Sequence, residues 1–206
     1  MSRRKTLVLA THNTHKQSEM NSILTGLGLT IIGLDKFPEI KDIEETGTTL
    51  IENALIKART IQAITGLPSL ADDTGLEVDA LNGSPGVYSA RYGGENATFE
   101  ENVTKMLVAL KGIPDEKRTA RFRTVLAFVD SNSELCENGV IEGKITKKAY
   151  GIDGFGYDPI FRPKNYDLTF SEMQSEQKNR ISHRAIALGK MKIILETYYK
   201  KGEFID

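Results

Sequence analysis

Apolar and polar positions alternate along the chain with two periods, and these predict its elements. Thr6 to Ala10 (TLVLA) is a short apolar run of strand length. Polar residues Thr11 to His15 follow, then a helix predicted from Lys16 to Leu27 and ended by Gly28. A second helix is predicted over Leu50 to Thr65, with Ile51, Ala54, Leu55, Ala58, Ile61 and Ile64 on one face. Thr49 and Glu52 fit a capping box at its start, and Gly66 with Pro68 stops it.

Ser69 to Ala71 reads as a short strand running into Asp72-Asp73-Thr74-Gly75, after which Leu76, Val78 and Ala80 alternate as a further strand. A third helix, Thr98 to Leu110, carries a Thr98/Glu101 capping box. Thr119 to Val129 and Val140 to Ala149 read as antiparallel partners, with a hairpin near Asp130 to Glu134. The last helix is predicted over Ser182 to Lys200, and Pro85-Gly86 and Gly151 to Gly156 are the expected corners. Strands and helices interleave without strict alternation, which predicts an α/β fold around a mixed sheet.

Composition narrows the classes. The 206 residues suffice for one sizeable core, or one split into two lobes. With 39% hydrophobic and 27% charged residues and a net charge of -1, no nucleic-acid or membrane partner is expected. A small anionic ligand needs only a local basic cluster. The single cysteine, Cys136, excludes an internal disulfide and a cysteine metal cluster, and points to the cytoplasm. The basic start Met1 to Lys5 is followed by too short an apolar run for a signal peptide, and no stretch approaches a membrane span. No internal repeat or low-complexity linker interrupts the chain.

Five segments carry candidate chemistry. Thr11-His12-Asn13-Thr14-His15-Lys16 places hydroxyl, amide and ammonium groups at a strand-to-helix junction, where phosphate oxygens find donors and a helix dipole. The same residues also suit a polar cap loop, and the Walker A pattern is absent. Glu44-Glu45-Thr46-Gly47 is an acidic loop ahead of Asn53 and Lys57, and such pairs are often merely solvated. Asp72-Asp73 directly follows an apolar strand, where desolvating carboxylates is costly unless a cation compensates. Magnesium takes hard oxygens, commonly one or two carboxylates plus substrate phosphates. In extended backbone the two side chains face opposite ways, so one Asp faces a site while the other braces it.

Gly154-Phe155-Gly156-Tyr157-Asp158-Pro159 combines glycines that admit a planar ligand with Phe155 or Tyr157 to stack on it and Asp158 to accept from a ring N–H. A glycine corner with aromatic core plugs fits the pattern equally. Lys178, His183 and Arg184 stand around the start of the last helix, against the dipole preference, where an anionic or carbonyl-bearing ligand would account for them; simple exposure is the alternative.

In order, Thr-x-Asn-x-x-Lys, Glu-Glu-Thr-Gly, Glu-Asn-Ala, Lys-Ala-Arg, Ala-Asp-Asp-Thr-Gly-Leu, Pro-Gly-Val-Tyr-Ser-Ala-Arg-Tyr, Gly-Phe-Gly-Tyr-Asp-Pro-Ile-Phe and Ser-His-Arg resemble the Ham1-like inosine/xanthosine triphosphate pyrophosphatases from Leu7 to Leu195. The family pattern commonly has Ser where this chain has Thr74, and both keep a hydroxyl. The resemblance implies a single pyrophosphatase domain on an elongated mixed sheet, with two lobes and an active site in the cleft between them. It implies magnesium-dependent hydrolysis of ITP, dITP or XTP to monophosphate and pyrophosphate by a homodimer. Carried over by motif, Thr11 to Lys16 hold phosphates and Glu44 or Glu45 helps hold the metal. Asp73 binds metal and accepts the proton of the attacking water. Lys57 and Thr74 contact substrate, and Phe155, Gly156, Tyr157, Asp158, Lys178, His183 and Arg184 form the base and sugar side.

Overall fold

The computed structural model describes residues 6–202; the basic Met1 to Lys5 start lies outside them. Strand β1 (Thr6–Leu9) leads into helix α1 (Thr14–Leu24), and β2 (Thr30–Gly33) precedes α2 (Leu50–Thr65). Then come β3 (Ser69–Val78), β4 (Pro85–Gly86) and α3 (Phe99–Ala109). The long strands β5 (Thr119–Val129) and β6 (Glu134–Ile145) follow, then β7 (Phe161–Pro163), α4 (Ser175–Ile181) and α5 (His183–Gly202). The strands form one sheet in the order β2-β1-β3-β5-β6-β7, with β4 attached to β3. β1 runs parallel to β2 and β3, whereas β3/β4 and β6/β7 are antiparallel, so the sheet is mixed, as the sequence predicts.

The chain divides into two compact units. The first holds the residues up to Asp73, Thr124–Gly139 and those from Arg184 onward; the second holds Thr74–Arg123 and Val140–His183. In the first, Leu7, Leu9 and Leu70 pack with Met20 and Leu24 of α1 and Leu188, Met191 and Leu195 of α5. In the second, Leu76, Val78, Phe122 and Phe161 pack with Val103 and Met106 of α3 and with Phe170. Each such side chain contributes about 1.5–3 kcal/mol when fully buried.

Four expectations change. The aspartates do not follow a strand: β3 is continuous from Ser69 to Val78 and contains both, while Ala80 falls in a short 3-10 turn. β6 spans Glu134–Ile145, earlier than the predicted Val140 to Ala149. The buried face of α2 is Leu50, Asn53, Ala54, Lys57, Ala58 and Ile61, leaving Ile51 and Ile64 exposed. That face includes an amide and an ammonium, which an apolar-periodicity reading passes over. Finally, α1 starts two residues early because Asn13 caps it, and it ends at Leu24 with Thr25 as its cap, short of the predicted Leu27 and Gly28 stop. Both predicted capping boxes and the left-handed stop at Gly66 form as read.

Candidate active site

In the first unit, loop and strand deliver a buried charge cluster. Asn13 Oδ1 accepts from the Lys16 backbone N–H (3.1 Å), and Gln17 donates to the Thr11 carbonyl (2.7 Å), which fixes the strand-to-helix turn. The turn carries Lys16 inward, its ammonium 3.2 Å from Asp72 Oδ1. Thr14 and His15 are exposed, as is His12, which stands 4.0 Å from Asp42.

Because β3 is extended at this point, its two carboxylates part. Asp72 faces Lys16 and Arg184; Nε and Nη2 of Arg184 both donate to its Oδ2, at 3.2 and 3.1 Å. Arg184 also donates to Glu19 and is only 1% exposed. Burial alone would push the Asp72 carboxyl up, but Lys16, Arg184 and Lys57 outweigh it and hold it well below the usual carboxylate range. Asp72 is therefore a fixed anion. Burial also pulls the Lys16 ammonium down, against the opposing pull of Asp72.

Asp73 faces the other way. Its Oδ2 accepts from Asn53 Nδ2 (3.2 Å), and Lys57 Nζ lies 3.8 Å from its Oδ1. Burial raises its pKa to about 6, against the pull of Lys57 and with a push from Glu45. Lys57 Nζ sits 2.5 Å from Glu45 Oε1. Of the acidic pair, then, Glu45 joins this cluster through Lys57, while Glu44 is exposed. Burial would lower the Lys57 pKa, but Asp73, Asp72 and Glu45 raise it, so the ammonium stays charged.

Asn53, named in sequence beside the acidic loop, was given no role there. It is fully buried and joins two parts of the site: its Nδ2 donates to Asp73 and its Oδ1 accepts from Gly47 N–H (2.8 Å). The available signal is its position four residues before Lys57, on the same helix face.

The donor set fits a hard divalent cation. Glu45 and Asp73 converge on one positive charge, the Lys57 ammonium. Among the described residues no group of three or more His, Cys, Asp or Glu forms a metal cage. Two carboxylates are what magnesium commonly takes from protein, with waters and phosphates completing its shell.

In the second unit, glycines shape an aromatic corner. Gly154 has φ +82°, and a Cβ there would lie 2.4 Å from Asp158 Oδ2, so only glycine lets the carboxylate fold back. Asp158 Oδ2 accepts from the Phe155 N–H (2.9 Å) and from Lys178 Nζ (2.7 Å). The Lys178 ammonium stands 4.7 Å from the Phe155 ring centroid, a cation–π distance. Phe155 is half-buried, and its ring lies 6.2 Å from that of Phe99. Tyr157 is 4% exposed; its hydroxyl donates to the Ser89 carbonyl (2.9 Å), and burial pushes its pKa up. Of the two aromatics, Phe155 is the partly exposed one, and Tyr157 is core. His183 is also buried, stacked on Phe122 with centroids 4.6 Å apart. Thr74 and Gly156 are partly exposed.

Comparison with known proteins identifies the family and the fold. The model of the Ham1 family matches residues 7–194. The dITP/XTP pyrophosphatase of Thermoanaerobacter pseudethanolicus is 48% identical over 186 residues, covering 90% of this chain and 94% of the relative. That of Vibrio cholerae is 45% identical over 190 residues, covering 91% and 94%. Among solved structures, a HAM1 protein from Coxiella burnetii superposes with a TM-score of 0.84 at 44% identity, covering 92% of this chain and 98% of that one. The Staphylococcus aureus Ham1 protein gives 0.84 at 37% identity, with 94% and 100% covered. The ordered motifs, the mixed α/β fold and a match over nearly the whole length agree, and the chain belongs to the Ham1 family.

Proposed function

We propose that this protein hydrolyses the non-canonical purine nucleoside triphosphates ITP, dITP and XTP to monophosphate and pyrophosphate, with Mg2+, and so cleanses the nucleotide pool. The relatives' printed activity, dITP/XTP pyrophosphatase, supports the substrate class. The observation that carries the chemistry is the division of labour on β3. Asp72 is a fixed anion within a basic frame, and Asp73 is a carboxylate of raised pKa beside Glu45 and Lys57.

In this reading Lys16, Lys57 and the Thr11 to His15 turn receive the phosphates. Asp73 takes the proton of the attacking water, its raised pKa bringing it nearer the working pH of a general base. Asn53 holds one Asp73 oxygen so that the other faces the reaction. Glu45 and Asp73 would hold the magnesium ion, which when bound neutralises phosphate charge. Attack at the α-phosphorus, or the equivalent cleavage of the α–β bridge, releases pyrophosphate.

Phe155 stacks on the base, with Lys178, positioned by Asp158, and His183 on the base and sugar side. Thr74, Gly156 and Tyr157 complete this set. Arg184 acts chiefly through Asp72. Hypoxanthine and xanthine present an acceptor at the purine 6-position, which buried donors satisfy; adenine presents a donor and leaves them unpaired.

The protein works as a single catalytic domain in a cytoplasmic homodimer in this proposal. No helix among the described residues is long and apolar enough to cross a membrane. The deciding experiment incubates the protein with dITP and Mg2+, with and without added inorganic pyrophosphatase. Orthophosphate only in the coupled tube is the expected result; orthophosphate without coupling, or no product, overturns the proposal.

A further inference from the structure

Lys57 occupies an unusual place for a phosphate ligand. Its side chain is 11% exposed, and its ammonium lies 2.5 Å from Glu45 Oε1 and 3.8 Å from Asp73 Oδ1. These are the two carboxylates whose chemistry suits a divalent cation. Asp73 Oδ2 accepts from Asn53, one helical turn before Lys57, and Oδ1 is the oxygen nearer the Lys57 ammonium. The helix bearing both residues is pinned at its start by the Thr49/Glu52 capping box, and Asn53 ties it to the acidic loop at Gly47. The backbone is fixed, whereas the lysine stem has four rotatable carbons.

One ammonium cancels one of two negative charges, the buried one of Asp73 and the partly exposed one of Glu45. A divalent cation cancels both, and would then face the Lys57 charge at close range with little water to screen it. Both cations on the same pair is the costly arrangement. A triphosphate resolves it by offering anionic oxygens to the ammonium.

We infer that Lys57 is the resident countercation of the Glu45–Asp73 pair. It has to leave that pair before the carboxylates can hold a divalent cation, and a bound triphosphate is what receives it. Cation affinity is therefore held down in the nucleotide-free protein and released by substrate, a coupling carried by one side chain. The inference rests on the pyrophosphatase reading for the identity of the anion that takes Lys57.

The test uses Mn2+ alone as probe, titrated into the nucleotide-free 206-residue protein at pH 7.5, with free Mn2+ read by electron paramagnetic resonance. Lys57→Met is expected to bind Mn2+ about tenfold tighter than wild type, within the usual range of coupling energies, while turning over dITP more slowly. Equal or weaker Mn2+ binding by the variant overturns the inference. Lys57→Gln supports the same comparison if the methionine variant folds poorly. A crystal structure of the wild type with Mn2+ and no nucleotide gives a second readout. Lys57 Nζ is expected to have left both carboxylates, and its retention on both beside bound metal overturns the inference. The pyrophosphatase reading stands or falls separately, on wild-type hydrolysis of dITP. Tighter Mn2+ binding by Lys57→Met without dITP hydrolysis by the wild type would sink that reading and leave the countercation in place.

Discussion

Removing the Arg184 guanidinium should cost stability before it changes specificity. The side chain is 1% exposed, makes two bonds of 3.1–3.2 Å to one oxygen of Asp72, and reaches Glu19 with its third nitrogen. Taking one partner from a buried ion pair costs about 3–5 kcal/mol, because the remaining charge is stranded. Lys16 still stands 3.2 Å from Asp72 Oδ1 and compensates part of the loss, which places Arg184→Ala at the lower end of that range. For a chain of this length about 3 kcal/mol lowers the Tm by about 6–12 °C. Differential scanning calorimetry of wild type, Arg184→Ala, Asp72→Asn and the double variant measures both the loss and the coupling. The double variant should lose at least about 1 kcal/mol less than the sum of the singles, since the two residues share the interaction. A Tm for Arg184→Ala within 2 °C (about 1 kcal/mol or less) of wild type would refute the argument. So would additive losses.

Asp73→Asn should act with opposite signs. Turnover of dITP should fall at least about a hundredfold, the usual scale for loss of a general base. The same variant should be more stable than wild type in EDTA at pH 8. The folded pKa of about 6 lies above the ordinary 3.8, so the carboxylate's burial cost appears as pH rises between these values and is complete above them. That cost is at most about 3 kcal/mol and should vanish near pH 3; a melting gain unchanged at low pH would contradict the assigned cause. Gly154→Ala drives a Cβ into the Asp158 carboxylate at a left-handed backbone position, and should raise KM for dITP about tenfold or more with a smaller change in kcat. Unaltered KM would remove Asp158 and Lys178 from base binding. Wild type should prefer dITP over dATP by roughly 10⁴-fold in kcat/KM, and equal use of the two would exclude selection at the purine 6-position.

The elements marked by local chemistry were legible in the sequence. Thr49/Glu52 and Thr98/Glu101 announce helix starts because their bonds close within four residues, and Gly66 announces a stop for the same reason. What escaped depends on partners far along the chain. The opposite facing of Asp72 and Asp73 was legible, but the strand was expected to end at Ala71 because buried carboxylates are costly, and the compensating Arg184 lies 112 residues away. The inward face of α2 was misplaced because Asn53 and Lys57 belong to it, and apolar periodicity cannot register a buried ammonium. Likewise, Glu44 and Glu45 are equivalent in sequence; only the position of Lys57 distinguishes them. Phe155 and Tyr157 differ in the same way, since the tyrosine is absorbed into the core beside Ser89.

The placement of Asp72 and Asp73 inside a continuous strand makes their roles a matter of parity. Val8 and Leu9 are opposite Ser69 and Leu70, which fixes which way each later residue of β3 points. Losing one residue between Leu70 and Asp72 would keep both carboxylates in the chain yet turn the would-be base toward Arg184 and the braced anion toward Asn53. A change of two residues would preserve the facing and alter only the reach. The acidic loop before α2 is under no such rule, because an irregular segment has no alternation to upset. Length variation among relatives should therefore collect in that loop and stay out of the three positions ahead of the aspartates.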